Sequence, residues 1–319
     1  MASGSDRATL AAFAGIVLIG GLNAVAIKFS NVELEPFWGA SLRFGLAALV
    51  LGAVVAYRRL GLPRGKALLG SVLYGVLNFG VSYALAYWGL QTAPASLAMI
   101  ILALVPLLTL VLAVLHGLER FSGKSVVGSL VALGGIAIVF GDGLAADPAL
   151  LLPIGAFLVG ALAIAETSVI VKRLPRSHPV VNNSLAMAIG AALLLAVSLI
   201  AGESLTLPAQ PPTVAALAYL VLLGSVGLFM LFLYVIERWT ASATSYSLLL
   251  MPFVAMAAAA ILVGEEIRPI AVLGGALAIG GVYIGAFNPS LRLPTPGLFR
   301  RSGQPPHAAT EPTLEVPCS

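Results

Sequence analysis

Runs of about twenty apolar residues recur along the chain, separated by short breaks that hold most of the polar side chains. Roughly twenty apolar residues are needed for a helix to cross a ~30 Å hydrocarbon core. The pattern predicts ten such helices, near 8–28, 36–57, 67–90, 94–116, 124–141, 150–172, 181–201, 213–237, 242–264 and 269–287. The breaks carry helix-stopping dipeptides: Glu35-Pro36, Leu62-Pro63, Asp147-Pro148, His178-Pro179 and Pro211-Pro212. The first run is longer than the apolar part of a signal peptide and nine more follow, so it is read as a retained span. Past Asn288 the pattern ends in a polar stretch punctuated by proline, predicted to be a disordered tail over 288–319. The organisation expected is therefore one five-helix half over 1–141, a second over 150–287, and the tail.

Composition agrees with a bilayer and with little else. Of 319 residues, 60% are hydrophobic and 9% charged, and the mean hydropathy is +1.04. A soluble domain carries about 25% charged residues and could not hide this much apolar surface. The net charge of +4 does not mark a nucleic-acid partner, because of where the charges fall. Fourteen of the seventeen Lys and Arg residues lie on one side of the predicted membrane, with the N-terminus. Only Lys28 and Arg268 lie opposite, and Arg43 sits within the second span. Cytoplasmic loops carry the excess of Lys and Arg, so both termini are expected in the cytoplasm and the chain in a cell inner (plasma) membrane. The single cysteine, Cys318, rules out an intrachain disulfide. The three histidines fall in breaks or the tail, so no metal site is expected, and no cofactor motif is present.

The chain repeats itself. An offset of 146 carries Ala95-Ser96 onto Ala241-Ser242, Pro106 onto Pro252 and Glu119 onto Glu265 without a gap. It also carries Gly128 onto Gly274 and Gly134-Gly135 onto Gly280-Gly281. A weaker echo pairs Pro36 with Pro179 and Ser41-Leu42 with Ser184-Leu185. Five helices per half is an odd number, so the second copy enters the membrane inverted. Inverted repeats are the architecture of carriers that expose a midplane site to one side and then the other.

Leu104-Val105-Pro106, with Glu119 thirteen positions on, Gly128 nine further and then Gly134-Gly135, recurs as Met251-Pro252, Glu265, Gly274 and Gly280-Gly281. This pattern resembles the drug/metabolite transporter superfamily, in its ten-helix branch with two EamA-type repeats. Within the branch the chain is similar in look to bacterial exporters of aromatic and other hydrophobic amino acids. The resemblance implies an all-α integral membrane carrier around a central cavity lined by helices 1, 3, 4, 6, 8 and 9. It also implies a small-molecule substrate moved by alternating access, commonly outward.

Polar residues concentrate on those helices. Asn78 and Ser82 are one turn apart on one face of the third span, with Tyr83 alongside. Asn23 lies near Gly20-Gly21, Ser96 and Met99 lie on the fourth span, and Ser245 and Tyr246 lie on the ninth. These are the candidate lining residues, against the alternative of hydrogen bonds between helices. Glu166, in the sixth span, is a candidate for a substrate ammonium or a coupling proton, the alternative being a pair with Arg238. Arg43 is expected to snorkel outward or pair with Glu33 or Glu35, in preference to a substrate carboxylate. Helix depth separates Arg43 from Glu166 by roughly 14 Å, too far for an ion pair. Pro106 and Pro252 are expected to kink their helices and act as hinges. Glu119 and Glu265 are read as caps at helix ends. The small residues Gly128/Ala132, Gly274/Ala278 and Gly281/Gly285 are read as sites of close helix approach, between helices 5 and 10 or at a dimer contact. Monomer and homodimer both remain open.

Tyr, Asn, Ser and Met with few charges suit a zwitterionic or neutral solute with an apolar part. A lipophilic cation is the alternative cargo. A polyanion is poorly suited, since no cluster of Arg or Lys lies at the midplane to cancel its charge. An integral membrane enzyme would need an acid–base or metal constellation in a span. No Asp or Cys falls in any span, and the one His, His116, stands at the very end of the fourth. A channel would not require the duplicated prolines.

Overall fold

The structure is a computed structural model describing residues 4–90, 92–93, 98, 101–140, 148–175, 177–263 and 269–287. Within these residues every regular element is a helix. We label the helices α1 (Gly4–Ser30), α2 (Pro36–Tyr57), α3 (Lys66–Tyr74, Gly75–Val81 and Ser82–Leu90), α4 (Val105–Leu115) and α5 (Gly123–Phe140). The second half holds α6 (Leu151–Arg173), α7 (Pro179–Ala201), α8 (Pro211–Val221, Leu222–Gly227 and Leu228–Arg238), α9 (Ala241–Ser245 and Ser247–Val263) and α10 (Pro269–Val282 and Tyr283–Phe287). Among the described residues, seven stretches are long and apolar enough to cross a membrane, and three shorter apolar helices accompany them. Large apolar side chains face outward, Leu49 at 70% and Ile200 at 87% exposure. In water such a surface would aggregate, and in lipid it is ordinary. The Pro-rich stretch 288–319 lies outside the described residues.

Local chemistry sets the boundaries. Pro36, Pro179 and Pro211 open α2, α7 and α8, where the missing N–H is one the helix could not use. α7 stops at Gly202, whose φ of 73° is left-handed and natural for glycine. Helix starts then take acceptors from neighbouring turns. Glu203 accepts from the amides of Phe37 (3.0 Å) and Trp38 (2.7 Å) at the start of α2. Glu33 accepts from Ala209 (3.3 Å) and Gln210 (3.0 Å) at the start of α8. Glu119 accepts from the Ser242 amide (3.1 Å) and hydroxyl (2.5 Å) at the start of α9. Each carboxylate also meets the positive end of a helix dipole.

Packing respects the duplication. α1 packs on α8 and α9, and its counterpart α6 packs on α3 and α4. α2 packs on its own counterpart α7, and α5 on α10. Lipid offers no hydrophobic drive between helices, so close fit must hold them together. α5 and α10 cross where a Cβ on Gly128 would stand 2.5 Å from Gly281 O and 2.5 Å from Gly285 N. A Cβ on Gly135 would likewise meet Gly274 O at 2.5 Å. The glycines expected to permit close approach do so within the chain, between these two helices.

Two departures from the sequence reading matter for the site. α3 and α8 are each interrupted by a π-helical turn, Gly75–Val81 and Leu222–Gly227. Asn78 in one and Gly224 in the other stand 146 residues apart, so the irregularity belongs to the repeat. The prolines do not match. Pro252 lies inside a helix as expected. Pro106 instead stands in the first turn of α4, after a turn at 103–104, and bends no continuous helix among the described residues. In the second half the break falls at Tyr246, six residues before Pro252.

Candidate functional site

A cavity of about 280 Å³ lies between α1, α2, α3, α6, α8 and α9, reaching Leu102 just before α4. Most of its wall is apolar, with Ile16, Phe229, Phe232, Leu248 and Met251 contributing. Asn23, Arg43, Asn78, Ser82 and Tyr83 supply polar groups, and Ser168, Ser245 and Ser247 supply more. Gly20 and Gly21 of α1 face α9, where a Cβ on Gly21 would stand 2.5 Å from Val254 Cβ and 2.8 Å from the Met251 carbonyl, and one on Gly20 would meet the Met251 side chain.

Helix geometry delivers these groups. The π turn of α8 presents the Gly224 carbonyl sideways to two donors from other helices: Asn23 Nδ2 at 3.2 Å and Arg43 Nη2 at 2.8 Å. Such turns alter the regular backbone ladder and recur at functional sites. Arg43 Nε donates to Ser225 Oγ at 2.8 Å. Its guanidinium carbon lies 4.9 Å from the Phe44 ring centre and 5.9 Å from that of Tyr83. The third nitrogen, Nη1, is buried and has no partner. On α3 the Ser82 hydroxyl donates to the Asn78 carbonyl one turn earlier, leaving the Asn78 amide beside the cavity.

Arg43 corrects the sequence reading. It neither snorkels nor pairs with Glu33 or Glu35, and its exposure is 1%. Among the described residues no carboxylate lies within 4 Å of it. Its position seven residues into α2 suggested an outward reach. The acceptors that turn it inward belong to α8, which no local pattern reveals.

The other candidates separate into three groups. Asn23, Asn78, Ser82, Tyr83, Ser245 and Pro252 border the cavity. Ser96 and Met99 lie outside the described residues, as does Glu265. Glu166 and Tyr246 border other places. Glu166 Oε1 lies 3.4 Å from Nε2 of His116, at the end of α4, and not against Arg238. His116 Nδ1 lies 2.9 Å from the Leu112 carbonyl, which fixes the ring toward Glu166. The Tyr246 hydroxyl donates to the Ser125 carbonyl (2.7 Å) and lies 3.0 Å from Ser129 Oγ, so this residue ties α9 to α5. No group of three or more His, Cys, Asp or Glu that could hold a metal occurs among the described residues.

One geometric relation is shared by both ends of the molecule. The end of α1 and the end of α7 meet the starts of α8 and α2 at one face. The end of α4 meets the start of α9 at the other. Phe13, near the start of α1, lies 5.2 Å from Trp239 at the end of α8, on that second face. Helices on both sides of the 141–151 junction thus line one cavity. The EamA-like transporter profile matches the sequence twice, over residues 7–141 and 151–286.

The chain belongs to the EamA-like transporter family.

It is therefore a transporter and not an enzyme, and a multi-pass protein of the inner membrane. Over 287 residues it is 28% identical to the "Probable amino-acid metabolite efflux pump" of Escherichia coli (strain K12), covering 86% of this chain and 93% of that one. It is 29% identical over 237 residues to the "Uncharacterized inner membrane transporter YedA" of the same organism, covering 73% and 76%. A protein solved by crystallography shares its fold with a TM-score of 0.74 at 21% identity, covering 88% of this chain and 98% of that one.

Proposed function

We propose that this protein exports amino-acid metabolites, aromatic and other hydrophobic amino acids foremost, by alternating access across ten spans with both termini in the cytoplasm. The observation that carries this reading is a cavity lined by helices of both repeats, apolar over most of its wall and polar at a few points. An apolar wall suits the side chain of such a solute, and a few placed polar groups suit its head. The named function of the Escherichia coli efflux pump favours the same chemistry. The crowding of basic residues on the face holding the start of α1 and the end of α8 supports the cytoplasmic assignment.

The alternative of lipophilic-cation efflux loses its support at the charges. Glu166, the carboxylate it would need, borders another place, and the charge beside the cavity is the cation of Arg43. Cells overproducing the protein and preloaded with labelled phenylalanine should lose label faster than cells carrying an empty vector. Equal loss of phenylalanine, with faster loss of a lipophilic cation, would reverse the choice.

A further inference from the structure

We propose that Arg43 binds the carboxylate of the transported solute, with Asn78 as a second donor and Asn23 accepting from its ammonium. The proposal rests on the amino-acid reading above and adds the residues that recognise the head group.

Arg43 is a buried cation without a counter-charge among the described residues. An ionisable group at membrane depth is unfavourable by ~2.5–3.5 kcal/mol on insertion scales, so it persists where function needs it. Ser225 and the Gly224 carbonyl occupy two of its nitrogens. Nη1 is left over, buried and unpartnered beside the cavity. Buried polar groups nearly always find a partner, and one that lacks it calls for an explanation.

Two further orphans belong to residues that border the same cavity. Asn78 Nδ2 is a donor without an acceptor, and Asn23 Oδ1 an acceptor without a donor. The orientation of Asn23 follows from its other bond, since only Nδ2 can donate to the Gly224 carbonyl. Of the six buried unpartnered side-chain atoms among the described residues, three belong to residues that line this cavity. Two donors, one of them cationic, and one acceptor complement a carboxylate and an ammonium carried by the same carbon. Phe229, Phe232, Leu248 and Met251 complete the complement with an apolar surface for the side chain. A guanidinium–carboxylate bond is charge-assisted, and the low dielectric of the site strengthens it. The same field repels an amine that lacks the carboxylate. Specificity for acids over amines follows from one residue.

The test uses purified protein in liposomes and counterflow of labelled phenylalanine, with competition by phenylalanine, phenylalaninamide, phenethylamine and phenylpropionate. On the native protein, loss of the carboxylate should raise the half-inhibiting concentration roughly tenfold to a hundredfold. In R43M the half-saturating phenylalanine concentration should rise by a similar factor, and the acid-to-amide ratio should fall toward one. R43K should keep part of the preference. Equal competition by the amide and the acid on the native protein overturns the proposal while leaving amino-acid transport standing. So does an R43M variant with the native acid-to-amide ratio. If R43M does not fold, R43K and the native competition series still decide. If no amino acid exchanges while another preloaded solute does, the amino-acid reading fails and the proposal with it.

Discussion

Removing the Glu119 carboxylate should loosen the face we assign to the cytoplasm. Glu119 closes α4 onto the first turn of α9 through two hydrogen bonds, to the Ser242 amide at 3.1 Å and the Ser242 hydroxyl at 2.5 Å. Hydrogen bonds to a charged group contribute about 1.5–3 kcal/mol each when shielded. Glu119 is only half-buried, so solvent screening reduces the pair to about 1–2 kcal/mol in total. Glu119→Ala should then raise the population open at this face by a factor of about 5–30. Ser245 reports on it, being 2% exposed and bordering the cavity directly after this contact. In a background with Cys318→Ser and Ser245→Cys, inside-out vesicles treated with an impermeant maleimide should label faster in Glu119→Ala by that factor. Glu119→Gln, which keeps an acceptor but no charge, should show a smaller rise. Unchanged labelling in a folded Glu119→Ala protein would refute the latch.

Gly128→Val should lower the melting temperature in detergent. Its Cβ would meet Gly281 and Gly285 backbone at 2.5 Å, and overpacking of this kind costs about 1–3 kcal/mol. Gly134→Val is the control, since nothing lies within 4 Å of its Cβ position. Glu166→Gln should leave the half-saturating phenylalanine concentration within about twofold of native, because Glu166 does not border the cavity. A tenfold rise would return Glu166 to the binding site. At Glu33, loss of hydration pushes the carboxyl up, but hydrogen bonds from Gln210, Thr213 and Ala209 outweigh it and hold the group below its ordinary 4.5. A depressed value contributes stability that is fully present above the ordinary 4.5 and is lost as pH falls through the folded value. Melting temperature should therefore fall less between about pH 5 and pH 3 in Glu33→Gln than in the native protein.

The spans were legible because apolar length and proline breaks act locally. The range 36–57 is the range of α2, and most other ends fall within two or three residues. The glycine spacings were legible for a related reason: small residues at four-residue intervals make a smooth face, and Gly128, Gly281 and Gly285 meet there. The family resemblance put Asn23, Asn78 and Ser245 on helices expected around one cavity, and all three border the cavity between α1, α3 and α9.

What remained hidden is set by tertiary contact. Arg43 turns inward because α8 offers Gly224 and Ser225, residues some 180 positions away in the chain. The π turns carry no sequence signature in a chain this rich in glycine and leucine. Tyr246 looked like a lining residue from its place beside Ser245. A break in α9 at that residue swings it onto Ser125 instead. His116, set aside as a loop histidine, reaches Glu166 because α4 ends where α6 passes.

Counterflow in proteoliposomes tests the central claim most directly. Vesicles preloaded with unlabelled phenylalanine should accumulate labelled phenylalanine transiently, well above protein-free vesicles, with saturation and with acceleration by solute on the far side. Flux that neither saturates nor responds to trans solute would contradict a carrier. No exchange with any aromatic or hydrophobic amino acid, each tried as preload in turn, would contradict the cargo.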